Sequence, residues 1–343
     1  METGTITAPE LAHARDWVPV LAKYREADDA RAWREVAVTL GPFLALWVLA
    51  WGSLDGPRWV TLALTVGIGL FLMRLFALQH DCGHAALFRD RRMNDRIGRL
   101  FGVLTLSPYT TWRKMHATHH ENSGNLDGDF MGDLIVLTVD RYRALDPWRR
   151  LAYRIYRNPL FIMIVSPPLL FYVLYRIPVG LMGQRRYWAS CMVNNGVLAV
   201  ILGAMYFARG WEPILWIFIP STLLGAVLGI WIFYCQHQWQ GAQFDFGEDW
   251  QVHEAALHGS SQLLLPGWMT WFTANFPIHH VHHLYARIPS YRLPEVLRDH
   301  PQLEPMNKIT VGQSLAALNL ALWDPTQRRL ISFREAHGRA AQV

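Results

Sequence analysis

Apolar residues are gathered into five long segments, separated by polar stretches that are rich in arginine. Each segment is close to the ~20 residues that a helix needs to cross the hydrocarbon core of a bilayer. The segments cover 36–54, 58–79, 159–177, 187–207 and 211–234. The pattern predicts an all-α integral membrane protein, with the remaining polar parts of the chain in water.

The segment 159–177 is predicted to be re-entrant or interfacial rather than spanning. Ser166, Pro167 and Pro168 interrupt it, and consecutive prolines break backbone hydrogen bonds that lipid does not replace. Arginines flank both of its ends: Arg141, Arg143, Arg149, Arg150, Arg154 and Arg157 before it, and Arg176, Arg185 and Arg186 after it. Because positively charged loops stay inside, both ends are expected in the cytoplasm.

This count leaves four spanning helices, with both termini on the cytoplasmic side. The polar stretches 80–158 and 235–343 then form a cytoplasmic helical cap, and the whole of 1–343 is one domain. Residues 1–35 lack the charged, apolar and small-residue regions of a secretory signal peptide. The N-terminus is therefore expected to remain in the cytoplasm.

Composition supports the membrane assignment and excludes other classes. Hydrophobic residues make up 52% of the chain and charged residues 17%, which is unlike an ordinary soluble enzyme. The net charge of +5 comes from arginine-rich connections, not from a basic face interleaved with stacking aromatics, so no nucleic-acid partner is expected. Cys82, Cys191 and Cys235 show no C-x-x-C spacing, which argues against an iron–sulfur cluster in this chain.

Histidines are clustered near the ends of the apolar segments. They form one pair at i and i+4, two copies of the string H-x-x-H-H, and one single residue at the end of the last segment. These nine are His80 and His84, then His116, His119 and His120, then His279, His282 and His283, and finally His237. Such spacings put the imidazoles of each cluster on one helix face.

Chance does not explain this pattern. The chain has 15 histidines, and at that frequency the string H-x-x-H-H arises roughly 0.03 times per chain. His280 lies about 100° around the helix from His279, and we leave it outside the site. An ordinary core or surface role is favoured for the isolated His13, His253, His258, His300 and His337.

Nine imidazoles indicate two metal ions, because one zinc uses only three or four ligands. Iron is the expected metal for O2 chemistry on an unactivated carbon, although zinc in a subset of the histidines stays open. Asp81 either accepts a hydrogen bond from an imidazole that binds metal or serves as a helix-end or salt-bridge residue. Arg74, inside the second apolar segment, is expected to extend its side chain toward the cytoplasm.

The motifs resemble those of the membrane fatty acid desaturases, most closely the bacterial and plastid acyl-lipid omega-6 (delta-12) branch. The similarity extends over about 79–324. The matching motifs are Gln79-His80-Asp81-Cys82-Gly83-His84, His116-Ala117-Thr118-His119-His120, Ser123-Gly124-Asn125-Leu126-Asp127, Gly132-Asp133, Gln236-His237-Gln238-Trp239, His258-Gly259-Ser260-Ser261, Asn275, His279-His280-Val281-His282-His283-Leu284, Arg287-Ile288-Pro289 and the short Leu322-Trp323-Asp324.

The resemblance implies four transmembrane helices under a cytoplasmic cap, a buried acyl tunnel, and two iron ions held by the nine clustered histidines. It implies O2-dependent formation of a cis double bond in a lipid-linked acyl chain, in a bacterial inner membrane. One position departs from the pattern of the acyl-CoA branch, where an asparagine helps to hold a metal through water. Here that position is Phe233, and Asn275 is a candidate substitute.

Electrons are expected from an external donor of the ferredoxin or cytochrome b5 type, since no haem, flavin or cysteine-cluster motif occurs. The basic surface that includes Arg149 and Arg150 would suit an acidic donor, and positive-inside topology explains it equally well.

Three other functions stay open. A hydroxylase, ketolase or acetylenase would use the same centre on an alkane, carotenoid or acyl chain. A histidine-rich metal transporter would place polar residues along a path through its helices. A zinc-dependent membrane hydrolase would work without O2.

Overall fold

Helices account for most of the fold, and the computed structural model describes residues 13–340. The α-helices are α1 Trp17–Leu21, α2 Asp29–Gly52, α3 Arg58–Gly83, α4 Arg91–Leu104, α5 Tyr109–Asn122, α6 Val139–Arg143, α7 Pro147–Tyr156, α8 Ser166–Pro168, α9 Arg185–Arg209, α10 Ile219–His237, α11 Val252–Gly259, α12 Gly267–Phe272, α13 His279–Leu284, α14 Leu293–Asp299, α15 Val311–Ala317 and α16 Phe333–Ala340. The strands are β1 Leu137–Thr138, β2 Gln262–Leu264, β3 Lys308–Thr310, β4 Leu320–Asp324 and β5 Arg329–Ser332. π-helical stretches cover Phe161–Val165, Leu169–Val173 and Ile214–Phe218.

Four helical segments are long and apolar enough to cross a membrane, as the sequence predicts. They are Asp29–Asp55, Arg58–Gly83, Arg185–Arg209 and Ile214–His237. Local signals set several of the ends: the Asp28 side chain caps α2, Pro57 precedes α3, and Gly210 with φ +64° ends α9. The predicted fold class is therefore confirmed. The predicted position of the termini concerns residues 1–12 and 341–343, which lie outside the described residues.

Helix α3 lies at the centre and packs against α2, α4 and α10. Two glycines allow α3 and α10 to approach closely. A Cβ atom on Gly69 would come 2.9 Å from Leu224 Cδ2, and one on Gly225 would come 3.0 Å from Leu72 Cβ. Helix α9 lies at the periphery, where Phe207 is 89% exposed. A large exposed apolar surface of this kind faces lipid in a membrane protein.

Arg74 does not extend to water, which corrects the expectation from the sequence. Its side chain is only 3% exposed. The guanidinium forms an ion pair with Glu35 on α2, donates to the carbonyl of Trp271 and to Thr39 Oγ1 (3.0 Å), and stacks over the Trp271 ring. A buried cation is tolerated only with such partners, and the carboxylate comes from another helix.

The apolar segment after α7 is bent, and the bend lies between Tyr156 and Phe161. Together, α7 and Phe161–Arg176 are long and apolar enough to cross a membrane, but the two helical pieces meet at an angle of 59°. π-helical stretches flank Ser166–Pro168, because a proline offers no backbone N–H to the ladder. Two helical pieces joined at such an angle form either a broken span or a re-entrant loop. The re-entrant assignment of 159–177 therefore stays a prediction.

The polar cap contains two small sheets that the sequence analysis did not predict. Strands β1, β4 and β5 form one, with Leu137 beside Leu322 in a parallel pair. Strands β2 and β3 form the other, with Gln262 beside Lys308. Each strand has at most five residues. Their effect is to hold the C-terminal part of the chain against the segments that carry the histidines.

Candidate metal centre

Four helices bring the clustered histidines together. Helix α3 carries His80 and ends at Gly83, directly before His84, while α10 ends at His237. Helix α5 begins after Pro108 and carries the second cluster near its C-terminal end, and the six-residue α13 carries the third. Because α3 and α10 are neighbours that end at the same level, the histidines of all four elements converge below the cap.

The nine histidines form two groups, and within each group the ligating atoms lie within 4.8 Å of one another. The first group is His80, His84, His116, His120 and His282, and the second is His119, His237, His279 and His283. Each H-x-x-H-H string is therefore divided between the two groups. Its i and i+4 members go to one group, and the member between them goes to the other.

Ring nitrogens approach one another as ligands of a common ion do. The Nε2 atoms of His84 and His120 lie 2.9 and 3.1 Å from Nε2 of His116, and Nε2 of His237 lies 3.0 Å from that of His279. Two nitrogens that are each about 2.1 Å from one ion, at right angles, are separated by about 3.0 Å. The described side chains thus fit two metal ions.

Burial keeps these imidazoles neutral, which leaves a lone pair for a metal. It lowers the pKa of His84 to about 3. Burial and neighbouring histidines hold the pKa values of His116, His120, His279, His282 and His283 well below the ordinary value. Both ring nitrogens of His80 are buried and have no hydrogen-bond partner among residues 13–340. A bound ion would satisfy one of them.

Asp133 orients His119, and sequence reasoning did not assign it a role. Its Oδ2 lies 3.0 Å from Nδ1 of His119, so Nδ1–H donates to the carboxylate and Nε2 is left free. Burial acts to raise the pKa of Asp133, but the interactions with His119, with His237 and with the backbone N–H of Leu134 together outweigh it, and the net pKa is lowered. The only sequence signal was the motif Gly132-Asp133. Gly132 has φ +82°, and a Cβ atom there would come 2.7 Å from the carbonyl oxygen of Met115, so this position favours glycine.

Ser123 plays a similar part at the second group. Its Oγ lies 3.3 Å from Nδ1 of His237, which leaves Nε2 of that ring directed at His279. Hydrogen bonds of this kind fix the tautomer and orientation of imidazoles that bind metals.

Asp81 and Asn275 have other partners. The Asp81 carboxylate accepts a hydrogen bond from the backbone N–H of Ser290 at 2.7 Å, while its Oδ1 is 3.6 Å from Nδ1 of His80. That separation is too long for a hydrogen bond. The geometry therefore favours a role for Asp81 at the end of α3 over a role in orienting an imidazole that binds metal. Asn275 lies in a turn with φ +62° and donates to the Ser290 carbonyl. Phe233 packs its ring 5.2 Å from that of His119.

His280 lies outside both groups, as its position on the helix predicts. Its Nε2 is 3.0 Å from the carbonyl of Leu303, and burial lowers its pKa to about 4. The isolated histidines also have other surroundings: His300 packs edge-on against Trp17, and Nε2 of His258 lies 3.4 Å from Glu254.

An apolar cavity of about 440 Å³ begins at the first histidine group. Near the histidines its walls include His80, His116, Trp112 and Phe276. Farther away they come from α10 and from the bent segment, through Thr222, Gly225, Ala226, Gly229, Phe161, Ile162, Leu170 and Phe171. The segment that follows the bend after α7 thus forms one wall of the cavity.

Fold and site together define a membrane oxidoreductase whose histidine groups are compatible with a di-iron centre. Comparison with known proteins agrees. The family model described as fatty acid desaturase matches residues 57–314. A fatty acid desaturase of Bacillus subtilis is 36% identical over 331 residues, which are 96% of this chain and 94% of that protein. The chain belongs to the fatty acid desaturase family.

Relatives with more specific names are more distant. The sn-1 oleoyl-lipid 12-desaturase of Synechocystis sp. is 26% identical over 283 residues, covering 78% of this chain and 75% of that protein. An sn-1 acyl-lipid omega-3 desaturase (ferredoxin) of Synechocystis sp. is 25% identical over 233 residues, covering 66% and 63%. Because the two relatives are almost equally similar, identity alone does not choose between a 12-desaturase and an omega-3 desaturase.

Proposed function

We propose that this protein introduces a cis double bond into a lipid-linked fatty-acyl chain, with delta-12 (omega-6) specificity. The observation that carries the proposal is the apolar cavity that begins at the first histidine group. A cavity of this size falls within the range of small-molecule sites. Its apolar walls suit a hydrocarbon chain, and its position would bring one stretch of that chain to the metals.

In this proposal the two histidine groups hold two iron ions, which supply the activation of O2 when they are bound. The chain's own residues position the reactants and exclude water. Asp133 and Ser123 hold the rings of His119 and His237 so that Nε2 of each faces a metal. Trp112 and Phe276 keep the reacting part of the acyl chain in apolar surroundings.

We place the histidine centre, the cap and both termini on the cytoplasmic side of a bacterial inner membrane. The arginine-rich flanks of the apolar segments support this orientation. A ferredoxin-like donor is proposed as the source of electrons. The name of one cyanobacterial relative, which includes ferredoxin, supports this choice, as does the absence of an electron-carrier motif in the sequence.

The test is expression in a host whose lipids contain oleate but no diunsaturated chains, followed by fatty-acid analysis. We expect linoleate in lipids from the wild-type protein. His119→Ala and His282→Ala each remove one proposed ligand from a different group, and both should abolish the product and lower the iron bound per protein. The matched control is His253→Gln, which changes a histidine outside both groups and should retain activity and iron.

Three outcomes would point elsewhere. A hydroxylated or acetylenic product would indicate the related reactions on the same centre. An omega-3 product would move the specificity to that of the other relatives. Full activity in either His→Ala variant would refute the ligand assignment.

A further inference from the structure

A cleft lined by cationic side chains lies at the surface beside α7, apart from the histidine centre. It has a volume of about 420 Å³ between α6, α7 and α16. The cationic residues are Arg143, Arg150 and Arg154, and Leu151 and His337 also line the cleft. We propose that this cleft binds the phosphate headgroup of an anionic phospholipid at the membrane surface.

The three arginines bring positive charge together without carboxylate partners. Within residues 13–340, none of them forms an ion pair with Asp or Glu, whereas the neighbouring Arg149 pairs with Asp146 at 3.3 Å. Arg143 donates to the Ala336 carbonyl at 3.0 Å, and Arg150 donates to the Arg143 carbonyl at 2.9 Å. Arg154 donates to the Tyr142 hydroxyl at 2.7 Å and to Nε2 of His337 at 2.9 Å. A guanidinium has five N–H donors, so each arginine keeps donors for a ligand.

An exposed apolar stripe runs along α7 next to the cleft. Trp148 is 80% exposed, Leu151 48% and Ile155 51%. Their spacing of i, i+3 and i+7 places them on one face of the helix. The stripe leads into the bent apolar segment, where Leu160 and Ile164 are also exposed. An amphipathic helix with a tryptophan and flanking arginines is typical of the membrane interface.

The combination of charge and stripe favours a lipid over an acidic protein. A soluble electron donor that bound the arginines would leave Trp148 and its neighbours against water or against a polar surface. A membrane surface buries the stripe and supplies phosphates at the same depth. The planar guanidinium also matches a phosphate through two parallel hydrogen bonds. We therefore assign Arg150 to a lipid rather than to a docking surface for the donor.

The experiment is titration of the purified, delipidated full-length protein in detergent with phosphatidylglycerol, counting bound lipids by native mass spectrometry. In the double variant Arg150→Gln/Arg154→Gln, affinity should fall about ten-fold or more, a change of about 1.4 kcal/mol, because charged hydrogen bonds to the phosphate are lost. Arg149→Gln is the matched control on the same helix and should bind like the wild type. Equal binding by the double variant would overturn the proposal.

Further arms separate the sources of the phosphate. Phosphatidylcholine should bind much more weakly, and inorganic phosphate should not displace phosphatidylglycerol at millimolar concentration; displacement there would indicate a site for free phosphate. If the double variant slowed reduction by ferredoxin but bound phosphatidylglycerol normally, the surface would belong to the donor.

An unchanged thermal unfolding midpoint verifies that the double variant is folded. If the double variant does not fold, the exposed single change Arg150→Gln tests the same site.

Discussion

The contact between Asp133 and His119 determines which ring nitrogen of His119 is available to a metal. The carboxylate lies 3.0 Å from Nδ1, so Nε2 is left 3.2 Å from Nε2 of His283. The ring of Phe233 packs 5.2 Å from the same ring. The orientation of one proposed ligand thus depends on two residues that are not ligands themselves.

At the residue scale, we predict that Asp133→Ala lowers both bound iron and desaturation about 10- to 100-fold, the usual effect of losing a hydrogen bond behind a metal ligand. Iron content and the ultraviolet-visible spectrum of the purified variant check the prediction independently of turnover. Asp133→Asn keeps an acceptor oxygen and should recover part of the iron. Asp140→Ala, a change at an exposed carboxylate nearby in the sequence, should behave like the wild type. Loss of iron in both variants would show that the effect is not specific to the contact between Asp133 and His119.

Helix α10 contributes both to the second histidine group and to the wall of the cavity. Its last residue, His237, belongs to the second histidine group. On the preceding turns, Thr222, Gly225, Ala226 and Gly229 line the cavity, and their i, i+3, i+4 and i+7 spacing makes one face of small side chains. Gly229 lies about 12 Å along the helix from His237, from the rise per residue. This face therefore sets the width of the cavity at a fixed distance from the proposed metals.

At the element scale, Gly229→Leu should shorten the usable cavity. A Cβ atom at Gly229 would meet nothing within 4 Å, so the added side chain enters open space instead of displacing a neighbour. We expect lower conversion of 18-carbon chains and a smaller loss for shorter ones, measured as the product profile in whole-cell lipids.

The control for that change is Gly196→Leu on α9. Gly196 is exposed, and an added Cβ would also meet nothing within 4 Å. The same substitution in another membrane helix should leave the product profile unchanged. An equal loss across all chain lengths in Gly229→Leu, with normal folding, would show that this face does not limit the chain.

The whole molecule places nine buried or half-buried imidazoles around two small volumes, so its stability is linked to metal and to pH. Ions that bind the folded state but not the unfolded state stabilise it, by about 2.7 kcal/mol at 100 times the dissociation constant. We predict that removing iron with a chelator lowers the thermal unfolding midpoint by several degrees, and that adding iron restores it. No shift on removal would argue against a metal in the folded core.

For the metal-free protein we also predict a loss of stability in acid. The pKa of His84 is about 3 in the folded state and about 6.5 in an unfolded chain. Protons therefore bind the unfolded state first, and stability is complete above pH 6.5 and lost as pH falls toward 3. Each pKa unit contributes about 1.4 kcal/mol per histidine. Unfolding midpoints measured from pH 8 to pH 5 should fall steadily; a constant midpoint would contradict neutral, buried histidines.

Much of this organisation follows from local sequence. Runs of about 20 apolar residues predict the four long helices, because a bilayer imposes that length. Spacings of three and four residues predict which histidines share a helix face, because the helical period is local. The prolines at 167 and 168 likewise predict interrupted helical hydrogen bonding within 159–177, and π-helical stretches lie on both sides of Ser166–Pro168.

Only the tertiary structure decided how those pieces meet. It divided the neighbours His119 and His120 between different groups, placed the carboxylate of Asp133 behind His119, and paired the buried Arg74 with Glu35. It also made the bent segment a wall of the cavity and joined β1 to β4 across 185 residues, from Leu137 to Leu322. These are contacts between distant parts of the chain, and they depend on how helices pack, which no local period encodes.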